Sequence, residues 1–172
     1  EVVSDQATAD VPLGAFLSGG VDSTSIVALL QQVNTNPTQT FTIGFKEKGF
    51  NEAIFAKDIA KHLGTDHTEL YISSDDCLGL VPKLPKIYDE PLADSSQIPS
   101  YFVSELARKH VTVCLSGDGG DELFAGYNRY TWTEKIWQKQ SALPLLARKL
   151  LATLLSSVPV SLWDSAYNAM SS

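Results

Sequence analysis

Short apolar runs alternate with amphipathic helical patterns over the first 115 residues of the chain. Apolar and β-branched runs of four to eight residues are typical of strands buried in a parallel sheet. Strands are predicted over residues 13–17, 39–45, 67–72 and 111–115. Apolar residues at helical spacing predict helices over residues 22–33, 51–63, 75–87 and 95–110. This alternation predicts an α/β domain with a doubly wound parallel sheet.

The helix predicted over residues 51–63 has signals at both ends. Asn51 stands at its start, where an asparagine side chain accepts hydrogen bonds from the first N–H groups of a helix. Gly64 follows its last apolar residue, and glycine adopts the left-handed conformation that commonly ends a helix. Residues 94–96 are interpreted in the same way, as a cluster that caps the next helix rather than as a substrate contact.

From residue 130 onward the pattern consists of helices alone. Apolar spacing predicts helices over residues 132–140, 144–155 and 161–170. Their leucines form a broad apolar face, which favours packing against another part of a longer polypeptide. Attachment to a membrane surface is the alternative, but Arg148 and Lys149 are few basic residues for that role. We therefore expect one domain over residues 1–130 and a helical extension over 131–172 that begins a truncated continuation.

Composition and charge exclude two classes of protein. The chain has 172 residues, 44% of them apolar and 19% charged, which is too apolar for a disordered protein and enough for the core of one domain. The net charge is −7, and the acidic excess lies in residues 1–130, with 18 acidic and 9 basic side chains. Binding to nucleic acid requires a basic surface that neutralises phosphates. We therefore expect no nucleic-acid partner.

Cysteine content and hydropathy indicate a soluble, cytoplasmic protein. Cys77 and Cys114 are too few for a disulfide framework or a zinc site, and Cys114 is predicted to be a buried core thiol because it lies in an apolar run. His62, His67 and His110 lack metal-ligand partners and are interpreted as structural or surface residues. Apolar stretches fall short of the roughly 20 residues that cross a bilayer. We therefore expect no membrane partner.

The first predicted strand leads into a glycine-containing turn with the sequence SGGVDS at residues 18–23, hereafter the first loop. Glycines let the backbone approach a ligand closely, and free N–H groups at the start of a helix bind anions such as phosphate. Ser18 and Ser23 add hydroxyl donors, and Asp22 fits if it holds a Mg²⁺ ion that bridges to the phosphate. The loop lacks the lysine of a Walker A motif. Taken alone, an ordinary capped turn is an equal alternative.

A second turn repeats this chemistry after the strand predicted over residues 111–115. It has the sequence SGDGGDE at residues 116–122, hereafter the second loop, and LFAGY follows. Open α/β sheets bind ligands at the carboxyl ends of their strands, so the two loops converge if their strands are parallel neighbours. Asp22 and Asp121 then share one Mg²⁺ ion. A solvated acidic loop is the alternative, which the matching position of the two turns disfavours.

The first loop resembles the pyrophosphate loop of N-type ATP pyrophosphatases, and with the second loop the chain is similar to the synthetase domain of glutamine-hydrolysing asparagine synthetases. Further matches lie at residues 42–45 (TIGF), 63–67 (LGTDH) and 89–96 (DEPLADSS). Together the matches cover residues 11–130. The first motif is shared with other adenylating pyrophosphatases, and the second is more specific. The resemblance implies a Rossmann-like fold of the adenine-nucleotide α-hydrolase type, with an ATP pyrophosphatase domain over residues 1–130.

The resemblance implies which residues bind the nucleotide. The expected adenosine contacts are Leu17, Ile43, Ser116 and Gly117. The expected contacts of the β- and γ-phosphates are Ser18, Gly19, Gly20, Asp22 and Ser23. Asp22 and Asp121 are expected to hold Mg²⁺. ATP and Mg²⁺ are therefore the expected cofactors.

The resemblance also implies a reaction. Aspartate's side-chain carboxylate is joined to AMP with release of pyrophosphate, and ammonia then attacks the β-aspartyl-AMP to give asparagine. The expected catalytic residues are Asp22, Ser23 and Asp118. Asp118 stands where the family often has a glutamate that accepts a proton from ammonia, so its shorter side chain departs from that pattern.

The expected partners are ATP, aspartate and, in the full-length protein, a glutamine-amidotransferase domain; a homodimer is one possible assembly. The chain has no amino-terminal cysteine, which is the glutaminase nucleophile of that domain. It also stops before the segment that supplies a substrate-binding arginine and a phosphate-binding lysine in relatives. Two alternatives therefore stay open: an enzyme that adenylates another carboxylate, as β-lactam synthetases do, and an ATP-binding fragment that is inactive on its own.

Overall fold

The computed structural model of the chain describes residues 1–46 and 51–170. The described residues separate into two compact units, one within Glu1–Asp121 and the other within Glu122–Ser172. The first unit contains a β-sheet with helices, and the second consists of helices. A domain boundary at residue 130 stays a prediction.

Strands and helices alternate through the first unit. The strands among the described residues are β1 (Leu13–Phe16), β2 (Gln39–Phe45), β3 (Asp66–Ile72) and β4 (Val113–Leu115). The helices are α1 (Val2–Ala7), α2 (Val21–Val33), α3 (Ala53–Leu63), α4 (Ser74–Leu80), α5 (Leu84–Ile87) and α6 (Gln97–Arg108), with a 3₁₀ turn at Val81–Lys83. They are followed by α7 (Gly120–Phe124), α8 (Asn128–Ser141), α9 (Leu145–Ser157) and α10 (Val160–Met170). This order confirms the predicted α/β class.

The sheet is parallel, and its strand order is β3-β2-β1-β4. Gly14 of β1 pairs with Gln39 of β2 on one side and with Cys114 of β4 on the other. The chain thus adds two strands on one side of β1 and returns to add β4 on the other side. Open α/β sheets bind their ligands at such a reversal of strand order, outside the carboxyl ends of the strands. The reversal confirms the doubly wound sheet and makes β1 and β4 parallel neighbours.

Helices cover both faces of the sheet. One face is packed under α2 and α3 by Ala15, Leu17, Val27, Leu30, Ala56 and Ala60. The other face is packed under α6 by Phe41, Leu106, Ala107 and Val111. Full burial of one such valine, leucine or phenylalanine side chain contributes about 1.5–3 kcal/mol to stability. The two clusters therefore hold the strands at fixed positions beneath the loops at their carboxyl ends.

The prediction of one continuous helix over residues 75–87 is wrong. The segment forms α4, a 3₁₀ turn and α5, and a proline lies in the first turn of each of the last two pieces, Pro82 and Pro85. Proline has no N–H group, and its ring clashes with the preceding helical turn, so it starts a helix readily but does not continue one. The apolar residues do recur at helical spacing, but the two prolines break the segment into separate short helices.

The strand predicted over residues 111–115 is shorter and more exposed than expected. The N–H group of Val111 donates to the carbonyl of Ala107 at the end of α6 (2.8 Å), so the strand begins two residues later. Val113 is 41% exposed, because β4 is an edge strand of the described sheet. Cys114 is only half-buried, which corrects the prediction of a buried core thiol. Its partial burial still raises the pKa of the thiol to about 11.

Both ends of α3 follow the sequence signals. Gly64 ends the helix with φ at +71°, and its N–H group donates to the carbonyl of Ala60. At the start, Asn51 Oδ1 accepts a hydrogen bond from the N–H group of Ala53 (3.3 Å), although Glu52 occupies the N-cap position. The helices α1 and α7 lie outside the predictions, because six and five residues are too few to show an apolar period.

The second unit contains the three helices predicted from the apolar spacing after residue 130. Large apolar side chains lie exposed on α8, α9 and α10, among them Trp132, Leu146, Leu150, Leu154 and Leu162. None of the helices in the described part of the chain is both long and apolar enough to span a bilayer.

Candidate functional site

Two serines hold the first loop in shape between β1 and α2. The hydroxyl groups of Ser18 and Ser23 are 2.9 Å apart, and the backbone N–H group of Gly20 donates to Ser18 Oγ (3.3 Å). The Ser23 hydroxyl also donates to the carbonyl of Gly20 (3.3 Å). Ser23 is 8% exposed, whereas Ser18 lies at the surface. Ser18 is therefore the hydroxyl that a ligand can reach directly, and Ser23 fixes the turn from below.

Gly19 shows why the first loop needs a glycine. Its φ is +88°, in the left-handed region that favours glycine. A Cβ atom at this position would lie 3.0 Å from Phe55 Cβ and 3.1 Å from the backbone nitrogen of Ala56. The first turns of α3 therefore pack directly against the backbone of the first loop.

The amino end of α2 faces the same turn. Gly20 is the N-cap residue, and no side chain caps the helix. The first N–H groups of a helix have no partner within it, and they carry the positive end of the helix dipole. These groups are therefore suited to bind an anion, as the sequence predicts.

The second loop packs against the start of α2. A Cβ atom on Gly117 would lie 2.6 Å from the backbone nitrogen of Ser23 and 2.9 Å from the carbonyl carbon of Asp22. A Cβ atom on Gly120 would lie 2.6 Å from Oδ2 of Asp22, so this carboxylate lies directly against the backbone of the second loop. The two loops meet at one place, because their strands are parallel neighbours.

Hydrogen bonds within the second loop present Asp118 at its tip. The N–H group of Asp118 donates to Ser116 Oγ (2.9 Å), and the N–H group of Gly120 donates to the carbonyl of Gly117 (3.2 Å). Gly119 has φ at +87°, which completes the turn. Asp118 is exposed. The loop thus leaves the Asp118 carboxylate open to solvent beside the junction.

Leu17 and Ile43 do not bring their side chains together. The side chain of Leu17 is 1% exposed and packs in the cluster under α2 and α3. Ile43 packs against the cluster on the opposite face of the sheet, which contains Phe41. The Leu17 N–H group donates to the carbonyl of Phe41 (3.0 Å) and extends the pairing of β1 with β2. Leu17 therefore offers a ligand its backbone rather than its side chain.

The donors for a metal ion at this junction are few. Asp22 and Asp121 are both partly buried. The part of the chain that the structure describes contains no group of three or more His, Cys, Asp or Glu side chains that could hold a metal ion. Mg²⁺ is usually bound through one or two carboxylates, with phosphate oxygens and water completing its shell. The donor set therefore fits Mg²⁺ that arrives with a phosphate ligand and does not fit an all-protein metal site.

Comparison with known families identifies the chain. The sequence model of the asparagine synthase family matches residues 1–169. The chain belongs to the asparagine synthase family. This result confirms the resemblance that the two loops carry.

Named members of the asparagine synthase family align over most of this chain. Asparagine synthetase [glutamine-hydrolyzing] 1 of Bacillus subtilis is 47% identical over 121 residues, which are 70% of this chain and 19% of that protein. Putative asparagine synthetase [glutamine-hydrolyzing] 2 of Methanocaldococcus jannaschii is 44% identical over 128 residues, 74% of this chain and 25% of that protein. Asparagine synthetase [glutamine-hydrolyzing] of Homo sapiens is 31% identical over 135 residues, which are 73% of this chain and 24% of that protein. The aligned part thus spans a quarter or less of these relatives.

A polar stripe beneath α3 in this asparagine synthase family member lies outside the sequence predictions. Glu69 of β3 accepts hydrogen bonds from Tyr71 Oη (2.8 Å) and Lys57 Nζ (3.1 Å). Burial alone would raise the pKa of the Glu69 carboxyl, but the hydrogen bonds from Tyr71 and Lys57 outweigh burial and lower it. The sequence does not distinguish this stripe, because residues 66–69 (DHTE) are all polar and only the structure shows which of them lie on the face that α3 covers.

His67 belongs to the same stripe and has a structural role, as the sequence predicts. Its Nδ1 lies 2.9 Å from Thr40 Oγ1, which lies 3.0 Å from Thr65 Oγ1, while Nε2 is buried without a hydrogen-bond partner. Burial lowers the pKa of His67; the Glu69 carboxylate opposes this shift and Lys57 adds to it. The folded chain therefore favours the neutral form of this imidazole.

We expect the neutral His67 to make the chain less stable in acid. As the pH falls below 6.5, the usual pKa of histidine, the unfolded chain takes up a proton that the folded chain resists, so the free energy of unfolding falls. The measurement is the thermal midpoint between about pH 7 and pH 5, for the wild type and His67→Asn. The midpoint of the variant should fall less over this range. An equal fall in both proteins would contradict the assignment.

Proposed function

We propose that this chain binds ATP with Mg²⁺ and adenylates the side-chain carboxylate of aspartate, as part of a synthetase that makes asparagine. The observation that carries the proposal is the contact between the two loops, with the Asp22 carboxylate against Gly120 at the amino end of α2. Membership of the asparagine synthase family supports ATP as the nucleotide. An uncapped helix start beside two aspartates is what a magnesium-bound polyphosphate requires.

The first loop would bind the β- and γ-phosphates. The N–H groups at the start of α2 are available because no side chain caps that helix, and the hydroxyl of Ser18 lies at the surface beside them. Gly19 and Gly20 add backbone without side chains that would block a phosphate. Ser23 supports this site indirectly, through its hydrogen bonds to Ser18 and Gly20.

The adenosine would lie beyond the ends of β1 and β2. The backbone of Leu17, the exposed edge of Ile43 and the Ser116–Gly117 turn of the second loop are the groups available to it. Gly117 lies against the backbone of Asp22 and Ser23, so the nucleoside and phosphate halves of the site share one junction. Both halves are therefore positioned by the sheet.

Asp22 and Asp121 would hold the Mg²⁺ ion, with phosphate oxygens and water completing its shell. When bound, Mg²⁺ supplies charge neutralisation for the pyrophosphate that leaves. Asp22 is positioned for this role by the second loop, since Gly120 has no side chain to displace its carboxylate. The second loop thus helps to fix the Asp22 carboxylate at the junction of the two loops.

The first chemical step is a nucleophilic substitution at phosphorus that transfers the adenylyl group of ATP to the carboxylate. An oxygen of the aspartate side-chain carboxylate attacks the α-phosphorus of ATP, the bond to the β-phosphate oxygen breaks, and pyrophosphate leaves with the electron pair. Catalysis of this kind of step rests on positioning and on stabilising charge. The N–H groups of α2 stabilise the developing charge on pyrophosphate, which makes the first loop catalytic as well as binding.

In the second step ammonia attacks the acyl carbon of the β-aspartyl adenylate, and AMP leaves with the electrons of the broken C–O bond. The attacking nitrogen must lose a proton. Asp118 is exposed at the tip of the second loop, next to the junction, and we assign it the acceptance of this proton. In the full-length protein, the names of the relatives support glutamine as the source of ammonia.

The proposal predicts that release of pyrophosphate from ATP depends on aspartate. The measurement uses the full-length protein with MgATP, with and without aspartate, followed by a coupled pyrophosphate assay. We expect release only when aspartate is present. Release that ignores aspartate but responds to another carboxylic acid would transfer the adenylating function to that acid, and no release with any acid would contradict the proposal.

A further inference from the structure

The position of α3 along the sheet sets the shape of the first loop. Gly19 is packed against α3, and a Cβ atom there would lie 3.0 Å from Phe55 Cβ and 3.1 Å from the nitrogen of Ala56. These distances leave no room between the loop and the helix. A shift of α3 toward the loop would therefore displace the backbone N–H groups that face the phosphates.

Small side chains alone do not fix α3 along the sheet. Its buried residues are Ala53, Ala56 and Ala60, and Ile59 and Leu63 pack, partly buried, against the cluster that contains Ala56 and Ala60. Beneath it, the register of β2 and β3 places side by side Thr40 and His67, Thr42 and Glu69, and Gly44 and Tyr71. Alanine methyl groups form shallow ridges and interlock less than large side chains do. At the start of α3, where the helix meets Gly19, the buried residues are alanines, so polar contacts add to the positional constraint there.

Glu69 provides that constraint between helix and sheet. Its side chain is 14% exposed, and its two oxygens accept from Lys57 Nζ on α3 (3.1 Å) and from Tyr71 Oη on β3 (2.8 Å). The Tyr71 ring in turn covers Gly44, where a Cβ atom would lie 2.6 Å from Cε1 of the ring. Lys57 follows directly after Ala56, which touches the first loop. The Glu69 carboxylate thus links β3, which pairs with β2 beside the proposed adenosine site, to α3, which packs against the first loop.

We propose that Glu69 is a positioning residue for the phosphate half of the nucleotide site: through Lys57 it holds the start of α3 against Gly19 and keeps the first loop in its anion-binding shape. The inference rests on the proposed function, since it concerns the same loop. It assigns Glu69 no contact with the nucleotide.

The test separates the two halves of the nucleotide. Pyrophosphate probes the first loop, and AMP probes the adenosine half. In the full-length protein with MgCl₂, we expect Glu69→Ala to weaken pyrophosphate binding about three- to fivefold, the upper range for loss of an ion pair with an exposed lysine, and to leave AMP binding unchanged. Calorimetry gives both affinities without any need for turnover.

A matched control is present on α6. Tyr101 Oη donates to Glu105 Oε1 (3.3 Å), so Glu105 accepts from a tyrosine as Glu69 does, but it is exposed and lies on the helix that covers the other face of the sheet. Glu105→Ala should leave the binding of both probes unchanged. Glu69→Gln, which keeps an acceptor for Tyr71 but loses the charge, should fall between the wild type and Glu69→Ala. Lys57→Gln removes the same ion pair from its exposed partner and should weaken pyrophosphate binding in the same direction.

Three results would overturn the inference while leaving the proposed function intact. Unchanged pyrophosphate binding by Glu69→Ala would show that the contact between Glu69 and Lys57 does not position the first loop. Equal loss of AMP and pyrophosphate binding would show a general structural defect. Stronger pyrophosphate binding would show that Lys57, once released from Glu69, binds phosphate directly. If the wild type binds neither probe, the proposed function fails first and the inference fails with it.

Discussion

Replacing Gly117 by alanine is expected to abolish useful binding of MgATP and to lower the stability of the fold. The added Cβ atom would lie 2.6 Å from the nitrogen of Ser23 and 2.9 Å from the carbonyl carbon of Asp22. These are backbone atoms in the first turn of α2, so the clash cannot be relieved by rotating a side chain. Overpacking of this kind costs about 1–3 kcal/mol. A displacement of about 1 Å at a site of this kind costs about a hundredfold in activity.

The measurements for Gly117→Ala are the ATP affinity by calorimetry and the thermal midpoint. Gly79→Ala is a matched control, because a Cβ atom there would meet nothing within 4 Å and the residue lies within α4. This control should bind ATP as the wild type does and gain about 0.5–1 kcal/mol of stability, since glycine is unfavourable within a helix. Wild-type ATP affinity in Gly117→Ala would show that the junction of the loops is not where the nucleotide binds.

Replacing Asp22 by alanine is expected to remove the Mg²⁺-dependent part of ATP binding. The carboxylate of Asp22 lies against Gly120 at the junction and, with Asp121, is one of the two acidic side chains we assign to the metal. Loss of a charged ligand is worth about 1.5–3 kcal/mol, or about 10- to 100-fold in affinity. Any ATP binding that persists without Mg²⁺ should be unaffected or slightly stronger, because a negative charge beside the phosphates has been removed.

The assay for Asp22→Ala is a calorimetric titration with ATP in MgCl₂ and, separately, in EDTA. Asp5→Ala is the control for the change in net charge, since Asp5 lies exposed on α1. The wild type and this control should both bind more tightly with Mg²⁺. If Asp22→Ala retains the full effect of Mg²⁺, the assignment of the metal ligand is wrong.

The positions of the strands and the convergence of the two loops were predictable, because the apolar runs along the sequence agree with the strand order of a parallel α/β sheet. The apolar runs at residues 13–17 and 39–45 gave β1 and β2 to within a residue, and the loops after β1 and β4 predicted a shared site if those strands were parallel neighbours. The pairing of Gly14 with Cys114 meets this condition. The resemblance to the asparagine synthase family supplied the candidate chemistry.

The contacts between the loops and the role of Glu69 could not be predicted, because they depend on tertiary distances that a sequence motif does not specify. The spacing of glycines in the second loop does not reveal that Gly117 lies on the backbone of Ser23, because that contact depends on how α2 and β4 pack. The role of Glu69 was equally hidden, since it needs the register of β3 against β2 and the position of Lys57 on α3. Helix 75–87 is the opposite case, in which two visible prolines outweighed the apolar period.

The central claim is that the site activates a carboxylate by joining it to AMP, and the fate of the carboxylate oxygens tests it most directly. The pyrophosphate-release reaction is run with the full-length protein, MgATP, ammonia and aspartate labelled with ¹⁸O in its side-chain carboxylate. Attack on the α-phosphorus and later cleavage of the C–O bond transfer one labelled oxygen to AMP, so mass spectrometry should find ¹⁸O in AMP and none in pyrophosphate. Label in inorganic phosphate, with ADP as the nucleotide product, would contradict the account.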